Sequence, residues 1–225
     1  MTSTAKYAII VAGGKGLRMG SETPKQFLEM KGRPVLMHTV ESFYQYSKEI
    51  QLILVLSPAH LKTWAELCNR YQFEVPLTVQ PGGSTRFQSV KKGLQAISGN
   101  GLVAIHDGVR PLVDPRMIHE SYETAEKYNS AVAAIPLKNS IREILSHGSR
   151  ALNRASYCII QTPQTFKVDL IKEAYKVEEK DIYTDDASVW EAVGNQVTLF
   201  KGMEKNLKIT TIQDLVVAEF LLKLK

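Results

Sequence analysis

The sequence predicts a single α/β domain with a mostly parallel sheet, and three observations support this fold class. Short apolar runs rich in β-branched residues alternate with segments of helical periodicity along most of the chain. Glycine-rich turns follow two of these runs, as they often do where a strand leads into a helix at the edge of such a sheet. A length of 225 residues suits one large domain, which we expect to span residues 1–225.

Five runs are predicted to be strands because each is short, apolar and bounded by turn-forming residues. In chain order they are Tyr7–Val11, Gln51–Leu56, Val75–Gln80, Leu102–Ile105 and Ala131–Ile135. The last two contain no polar residue, which is typical of parallel strands covered by helices on both faces.

Helices are predicted between and after these strands from apolar residues spaced three or four positions apart. Proline is favoured in the first turn of a helix and therefore marks several of the starting points. In chain order, three predicted helices begin at Pro34, after Ser57-Pro58 and after the turn Pro81–Arg86. Three more are predicted to span Pro115–Tyr128, Asp185–Val193 and Thr211–Leu222.

The segment 138–156 interrupts this alternation. Two β-prone stretches, Ser140–Leu145 and Ala151–Ser156, flank the polar loop Ser146–Ser149, a pattern typical of a β-hairpin. A hairpin inserted into a parallel sheet has little of the main core to bury against. We therefore expect a dimerisation arm that packs on a second subunit, so that the protein is a homodimer.

Charge and cysteine content argue against several classes of function. The net charge of +5 comes from scattered basic residues without interleaved aromatics, so the sequence does not favour a nucleic-acid partner. No apolar run approaches the roughly 20 residues that span a bilayer, and the N-terminus lacks the pattern of a signal peptide. Cys68 and Cys158 match no metal or redox spacing, and two reduced thiols favour a cytoplasmic location.

The most informative segment is the glycine-rich loop Val11–Gly20, followed by Pro24–Phe27, directly after the first predicted strand. Glycines allow backbone N–H groups to approach an anion without an intervening side chain. Lys15, Arg18 and Lys25 place three positive charges around the same turn. The loop therefore predicts a ligand that carries several phosphates.

Two standard phosphate-binding loops do not fit this segment. A P-loop requires the spacing G-x-x-x-x-G-K-[ST], whereas Lys15 lies between Gly14 and Gly16. The dinucleotide pattern G-x-G-x-x-G lacks its third glycine, because Met19 stands at that position. The glycines alone could form a tight loop without a ligand, but that interpretation leaves the three cations unexplained.

The loop A-G-G-K-G-x-R-M-G with the following P-K-Q resembles the signature of nucleoside triphosphate-dependent sugar-phosphate nucleotidyltransferases. Five further blocks follow in order: Gly82–Val90, His106–Pro111, Gln161–Phe166, Thr184–Ser188 and Asn206–Thr210. With these blocks, nearly the whole chain resembles the cytidylyltransferase family of the non-mevalonate isoprenoid pathway. The resemblance implies a Rossmann-like three-layer sandwich and an enzyme that transfers CMP from CTP to 2-C-methyl-D-erythritol 4-phosphate, releasing pyrophosphate.

The resemblance also implies a role for each block. The CTP-binding positions would be Ala12, Gly13, Gly14, Lys15, Gly16, Gly82, Gly83, Arg86 and Ser89. Arg18 and Lys25 would stabilise the α-phosphoryl transition state and the departing pyrophosphate, with Lys208 as a third catalytic cation. The phosphate of the second substrate, a polyol phosphate, would be bound by Arg110, Ser140, Arg154, Thr184 and Lys208. Because Ser140 and Arg154 fall on the predicted arm, each site would be completed by the partner chain.

Asp107 follows a buried predicted strand, at the sheet edge where α/β proteins bind ligands. The resemblance implies that this carboxylate binds Mg²⁺, or another divalent cation, together with phosphate oxygens. From the sequence alone, a helix N-cap or turn aspartate is a serious alternative. The motifs contain no convincing general base, and a phosphomonoester needs none because it is largely dianionic above its second pKa of about 6.

Two alternatives for the function stay open at this point. The family often has Asp-Thr where this chain has Asn139-Ser140, and the missing carboxylate leaves room for a cytidylyltransferase that acts on ribitol 5-phosphate. A non-catalytic nucleotide-binding protein is expected to lose its charged site residues. Arg18, Lys25 and Lys208 are all present, which favours the enzyme.

Overall fold

The structure is a computed structural model that describes residues 4–13 and 23–223. Its strands are β1 (Lys6–Ala12), β2 (Glu29–Met30), β3 (Arg33–Pro34), β4 (Gln51–Leu56), β5 (Thr78–Pro81), β6 (Leu102–Asp107), β7 (Ser130–Pro136), β8 (Ile141–Ile144), β9 (Ser149–Leu152), β10 (Cys158–Lys167) and β11 (Leu199–Lys201). Its helices are α1 (Val35–Tyr46), α2 (Leu61–Tyr71), α3 (Arg86–Gln95), α4 (Pro115–Tyr128), α5 (Val168–Ala174), α6 (Asp186–Glu191) and α7 (Ile212–Lys223). Across those two ranges, no helix has the length and apolar character that crossing a membrane requires.

Seven strands form one sheet in the order β11-β7-β10-β6-β1-β4-β5. Strand β10 is antiparallel to both of its neighbours, and the other neighbouring pairs are parallel. The mostly parallel sheet predicted from the sequence is thereby confirmed. β10 is not among the predicted strands, because Pro163 and the polar residues around it interrupt the apolar pattern.

Alternate residues of the central strands face two helical layers. In β1, Ala8 and Ile10 pack on one side with residues of α1, α2 and α4. Ile9 packs on the other side with residues of α3, α5 and α6. These three side chains are at most 1% exposed, so both faces of the strand lie in the core. The arrangement is the three-layer sandwich expected from the sequence.

Most predicted boundaries agree with the structure, and the differences have local causes. β4 and α4 have the predicted bounds. The strand expected from Val75 begins only at Thr78, because the chain before it packs Val75 and Leu77 against the core outside the sheet. Neither β11 nor α5 was predicted, since elements of 3 and 7 residues are too short to show a clear period.

The predicted hairpin within residues 138–156 is present, but its second strand is displaced, because β9 begins at Ser149 inside the predicted loop and Arg154–Ser156 forms a 3-10 turn. β8 and β9 pair antiparallel, and the backbone N–H of Leu145 donates to the carbonyl of Gly148 across the turn. The arm is largely exposed, and Ile144 at its tip keeps 83% of its surface accessible. Because an isolated two-stranded hairpin is marginally stable in water, this arm is suited to packing on another surface. Its role in dimerisation stays a prediction.

The sheet register brings four strand ends together. Ala12 at the end of β1 pairs with Leu56 of β4, and Val11 pairs with Asp107 of β6. Leu56 in turn pairs with Pro81 of β5. The carboxyl ends of these strands therefore form one continuous edge, the place where open α/β sheets bind ligands.

Candidate active site

The carboxyl ends of β1, β4, β5 and β6 border a cavity of about 720 Å³, which we term the main pocket. Its walls contain every predicted CTP-binding residue that the structure describes: Ala12, Gly13, Gly82, Gly83, Arg86 and Ser89. Three other predicted site residues, Lys25, Asp107 and Lys208, also line it. Gly14, Lys15, Gly16 and Arg18 lie outside the described residues.

A smaller cavity of about 210 Å³, the side pocket, shares Arg86, Asp107 and Lys208 with the main pocket. Arg110 and Thr184, both predicted to bind the second substrate, line this side pocket. Two cavities with a common charged wall are what a reaction between two phosphorylated substrates requires, because the reacting groups must meet.

Ser140 and Arg154, the other two residues predicted to bind the second substrate, line neither pocket. Both are exposed on or beside the hairpin arm, and Arg154 donates a hydrogen bond to the carbonyl of Lys138. One chain therefore does not bring them to its own side pocket.

The loop between β5 and α3 is tightly packed around the Ser89 hydroxyl. Ser89 Oγ accepts from the N–H of Gly83 at 3.1 Å and donates to the carbonyl of Thr85 at 2.8 Å. A Cβ atom on Gly82 would lie 2.8 Å from the same oxygen and 3.2 Å from the carbonyl of Leu56. Position 82 therefore requires glycine for the loop to approach Ser89 and the end of β4.

Lys25 begins a 3-10 turn, Lys25–Phe27, that returns the chain to the end of β1. The side chain of Gln26 is buried and donates from Nε2 to the carbonyl of Ala12 at 3.1 Å. Phe27 is buried in the core below. These contacts anchor the turn and place Lys25 in the wall of the main pocket.

Asp107 lies at the centre of a cluster of cations at the wall that the two pockets share. Its Oδ2 is 2.8 Å from Nζ of Lys208 and 3.5 Å from Nε of Arg110, and its Oδ1 is 3.7 Å from Nε of Arg86. Burial acts to raise the pKa of Asp107, but the charges of Arg86, Lys208 and Arg110 outweigh it and hold the pKa below the ordinary value. The carboxylate is therefore ionised, and the cluster has a net positive charge.

The loop that carries Lys208 is fixed by buried hydrogen bonds. The side chain of Asn206 donates to the carbonyl of Thr162 at 2.8 Å, and the backbone carbonyl of Asn206 accepts from Nη1 of Arg110 at 2.7 Å. One residue after Lys208, the N–H of Ile209 donates to the carbonyl of Val109 at 2.9 Å. These bonds tie the loop to β10 and to the segment that follows β6, so that the lysine reaches Asp107.

Several residues that shape the site carry no role in the sequence-based prediction. Asp186 at the start of α6 is fully buried and binds Arg86 through both carboxylate oxygens, at 2.8 and 2.6 Å. Gln164 of β10 accepts from the N–H of Asp186 at 3.0 Å, and Asn206 fixes the Lys208 loop. All three lie in blocks that carry the family resemblance, which was the available signal.

His106 is buried beside Asp107 but is not suited to proton transfer. Burial lowers the pKa of His106 to about 3, although the charge of Asp107 opposes the shift. The ring packs on Phe43 with the centroids 5.0 Å apart, and it is completely inaccessible to solvent. The residue therefore stays neutral and structural at physiological pH.

The neutral state of His106 predicts a loss of stability at mildly acidic pH. Below its ordinary pKa of 6.5 the unfolded chain binds a proton that the folded protein refuses until about pH 3, so stability falls as the pH falls through this window. Between pH 7.5 and 5 this single group is expected to cost about 2 kcal/mol of unfolding free energy. Asp107 affects stability only below about pH 3.8. There the unfolded carboxylate protonates before the folded one, whose pKa is lowered, so stability falls further as the pH falls.

Urea unfolding at pH 5 and 7.5 tests this expectation. His106→Gln should flatten the pH dependence, whereas the matched change at the exposed His147, His147→Gln, should leave it unchanged. An unaltered slope in His106→Gln contradicts the assignment.

The donor set around Asp107 fits a metal that phosphates would help to bind. In the described ranges no three His, Cys, Asp or Glu side chains are grouped to hold a metal ion by themselves. Asp107 is ionised, and among the described residues no donor lies within the usual 2.7–3.2 Å hydrogen-bond range of its Oδ1. Mg²⁺ is commonly bound by one or two carboxylates together with phosphate oxygens and water. Oδ1 of Asp107 can supply the carboxylate oxygen of such a site.

Comparisons with known proteins agree with each other. A sequence model of the family described as 2-C-methyl-D-erythritol 4-phosphate cytidylyltransferase matches residues 7–224. A protein of that name from Phocaeicola vulgatus is 46% identical over 217 residues, covering 96% of this chain and 99% of the relative. One from Bacteroides thetaiotaomicron is 47% identical over 214 residues, covering 95% of this chain and 98% of the relative.

Solved structures show the same similarity. The 4-diphosphocytidyl-2C-methyl-D-erythritol synthase of Anaerococcus prevotii superposes with a TM-score of 0.83 at 29% identity, over 98% of this chain and 96% of that one. The 2-C-methyl-D-erythritol 4-phosphate cytidylyltransferase of Thermus thermophilus superposes with a TM-score of 0.76 at 28% identity, over 98% and 100%. The architecture is therefore shared along nearly the whole chain.

Proposed function

The chain belongs to the 2-C-methyl-D-erythritol 4-phosphate cytidylyltransferase family, and from this premise we propose how its two pockets carry out the reaction. The protein is a CTP-dependent nucleotidyltransferase of isoprenoid precursor biosynthesis. It transfers CMP from CTP to 2-C-methyl-D-erythritol 4-phosphate, giving 4-diphosphocytidyl-2-C-methyl-D-erythritol and pyrophosphate. The observation that carries the proposal is the cluster of Arg86, Arg110 and Lys208 around Asp107, at the wall between the pockets.

CTP occupies the main pocket and the acceptor occupies the side pocket. The main pocket is large enough for a nucleotide, and Lys25 and Lys208 supply positive charge along its walls. The side pocket presents Arg110, Thr184 and Lys208 to the acceptor phosphate. The two substrates then meet where Lys208 touches Asp107, which places the attacking phosphate next to the α-phosphorus of CTP.

The reaction needs orientation and charge stabilisation more than proton transfer. The attacking group is a phosphomonoester, which is already largely dianionic at neutral pH. The one histidine beside the cluster, His106, is neutral and buried, so it does not act as a base. Lys25, Lys208 and, outside the described residues, Arg18 stabilise the negative charge that moves onto the leaving pyrophosphate.

Ser89 favours cytosine over uracil. Its hydroxyl proton is donated to the carbonyl of Thr85 and one lone pair accepts from the N–H of Gly83, so toward a ligand Ser89 Oγ offers only its second lone pair. A lone pair can accept from the 4-amino group of cytosine but not from the 4-carbonyl of uracil, which also needs a donor. A side chain at position 82 would crowd this oxygen, since a Cβ atom on Gly82 would lie 2.8 Å from it.

Asp107 would bind Mg²⁺ together with triphosphate oxygens. The ion would neutralise part of the triphosphate charge and polarise the phosphoryl group that is attacked. Chelation with EDTA is expected to abolish turnover, and added Mg²⁺ to restore it. Full activity in the presence of EDTA would contradict this assignment.

The arm places Ser140 and Arg154 in the partner's site. Both residues are exposed and lie away from their own side pocket, and the apolar Ile144 and Leu145 at the tip are exposed as well. Sedimentation equilibrium is expected to give twice the chain mass of 25.2 kDa. A monomer that turns over at full rate would rule out a shared site.

We assign the enzyme to the cytoplasm on its thiol chemistry. Cys68 and Cys158 form no disulfide, and Cys158 is exposed, as is usual in a reducing compartment. Cell fractionation of the source organism tests this assignment, and recovery of the activity outside the cytoplasmic fraction would overturn it.

Acceptor choice tests the proposed function most simply. Pyrophosphate release is measured with CTP and either 2-C-methyl-D-erythritol 4-phosphate or ribitol 5-phosphate. We expect turnover with the first acceptor, and a kcat/KM for the second at least about a hundredfold lower, since one polar group that loses its partner in a site commonly costs that much or more. Preference for ribitol 5-phosphate would refute the proposed function.

A further inference from the structure

A buried ion pair holds Arg86 at the wall between the two pockets. Nη1 and Nη2 of Arg86 donate to Oδ1 and Oδ2 of Asp186 at 2.8 and 2.6 Å. Asp186 is completely buried and lines neither pocket. A two-point bond of this kind fixes the plane of the guanidinium as well as its position.

The orientation of Arg86 keeps one edge of Asp107 available. Nε of Arg86 is the nitrogen nearest to Asp107, and its distance of 3.7 Å to Oδ1 is longer than a hydrogen bond. Lys208 occupies the other oxygen, Oδ2, at 2.8 Å. If Asp186 did not hold both Nη atoms, the guanidinium would be free to turn and bind Asp107 with its fork, covering Oδ1.

Tyr175 supports this pair from behind. Its hydroxyl donates to Oδ1 of Asp186 at 2.6 Å, and its ring stacks on Phe87, next to Arg86, with the centroids 4.8 Å apart. Tyr175 is 2% exposed and lines neither pocket. It therefore contacts both Asp186 and the first turn of α3, while remaining out of reach of any substrate in the pockets.

Asp186 also connects the two substrate sites. The N–H groups of Asp186 and Ala187 donate to Oε1 of Gln164, at 3.0 and 2.8 Å, and Gln164 lines the side pocket. Through Arg86, the same residue is joined to the loop that begins α3 in the main pocket. Asp186 thus joins Gln164 through its backbone N–H and the start of α3 through its carboxylate.

We propose that Asp186 and Tyr175 are positioning residues for the transfer reaction, which hold Arg86 away from Asp107 and so leave Oδ1 of Asp107 uncovered. The proposal rests on the proposed function. It predicts that removing the Tyr175 hydroxyl impairs catalysis through Arg86, although neither Tyr175 nor Asp186 touches a substrate.

The test compares two buried tyrosines. Tyr175→Phe removes the bond to Asp186, and the control Tyr122→Phe removes a bond of similar length, 2.7 Å, to the carbonyl of Tyr7 away from the pockets. Both hydroxyls are buried, and thermal unfolding reports the structural cost of each change. We expect Tyr175→Phe to lower kcat/KM for the acceptor about tenfold. This is the lower end of the effect expected when a hydrogen bond to a charged group is lost. Tyr122→Phe should stay within twofold of the wild type.

A double-mutant cycle shows whether the effect acts through Arg86. Arg86→Lys keeps the charge but removes the fork, so Tyr175→Phe in that background should cost less than threefold. An equal loss in both backgrounds, or a loss no larger than that of Tyr122→Phe, overturns the proposal. If Tyr175→Phe does not fold, Asp186→Asn replaces it under the same criterion. Absence of turnover by the wild type would instead contradict the proposed function, so the two failures are distinguishable.

Discussion

Lys25→Ala is expected to reduce kcat for pyrophosphate release by about a thousandfold, the scale seen when a charge that stabilises a phosphoryl or acyl transition state is removed. Lys25 lies in the wall of the main pocket on a turn anchored by the buried residues Gln26 and Phe27. That anchor is independent of the lysine side chain, so the variant should fold. The measurement is steady-state pyrophosphate release with saturating CTP and acceptor.

Lys62→Ala is the matched control for this variant. Lys62 is on α2, its side chain is 91% exposed, and its contact with Glu66 is a loose surface pair at 3.8 Å. The control should keep the wild-type rate, because exposed pairs contribute little. Undiminished release by Lys25→Ala would refute the catalytic role of Lys25.

Lys208→Ala is expected to lower kcat/KM for the acceptor by about a hundredfold. Lys208 lines both pockets and touches Asp107 at 2.8 Å, so its loss removes a cation from the point where the substrates meet. Arg86 and Arg110 remain beside Asp107, which leaves its buried charge compensated and the fold intact. Loss of one electrostatic donor from a preorganised site commonly costs 10²–10³ in rate.

Lys205→Ala offers a close control on the same loop. Nζ of Lys205 is 2.7 Å from a carboxylate oxygen of Asp114, so this change also breaks a lysine–aspartate pair. Lys205 lines neither pocket. Its removal should alter stability slightly and leave kcat/KM within about twofold. Equal losses in the two variants would mean that Lys208 acts through the loop rather than through the substrates.

The central sheet could be predicted from the sequence because its signals are local. β4 is an apolar run bounded by turn residues, and α4 has a proline at its start and a regular apolar face. The place of Asp107 at the end of a buried strand follows from the same signals, whereas its metal-binding role came from the family resemblance and stays a proposal. β10 was not predicted because its own apolar pattern is interrupted. It forms a strand by pairing with β6 and β7, and the sequence alone does not show this pairing.

The position of Lys208 could be carried over from the family resemblance, but the contacts that place it could not. Its approach to Asp107 depends on buried bonds from Asn206 to Thr162 and from Arg110 to the Asn206 carbonyl, across 44 and 96 positions of the chain. Contacts over such separations leave no periodic trace. The pair Arg86–Asp186 is of the same kind, since its partners stand 100 positions apart.

We propose that the two pockets hold the two halves of the reaction. A crystal structure with the product 4-diphosphocytidyl-2-C-methyl-D-erythritol and Mg²⁺ gives the clearest test of this arrangement. We expect the cytosine against Ser89 in the main pocket, the diphosphate between Lys25 and Lys208, and the methylerythritol beside Arg110 and Thr184 in the side pocket. A product with its diphosphate away from Asp107, or with its two ends exchanged between the pockets, would refute this assignment of the pockets.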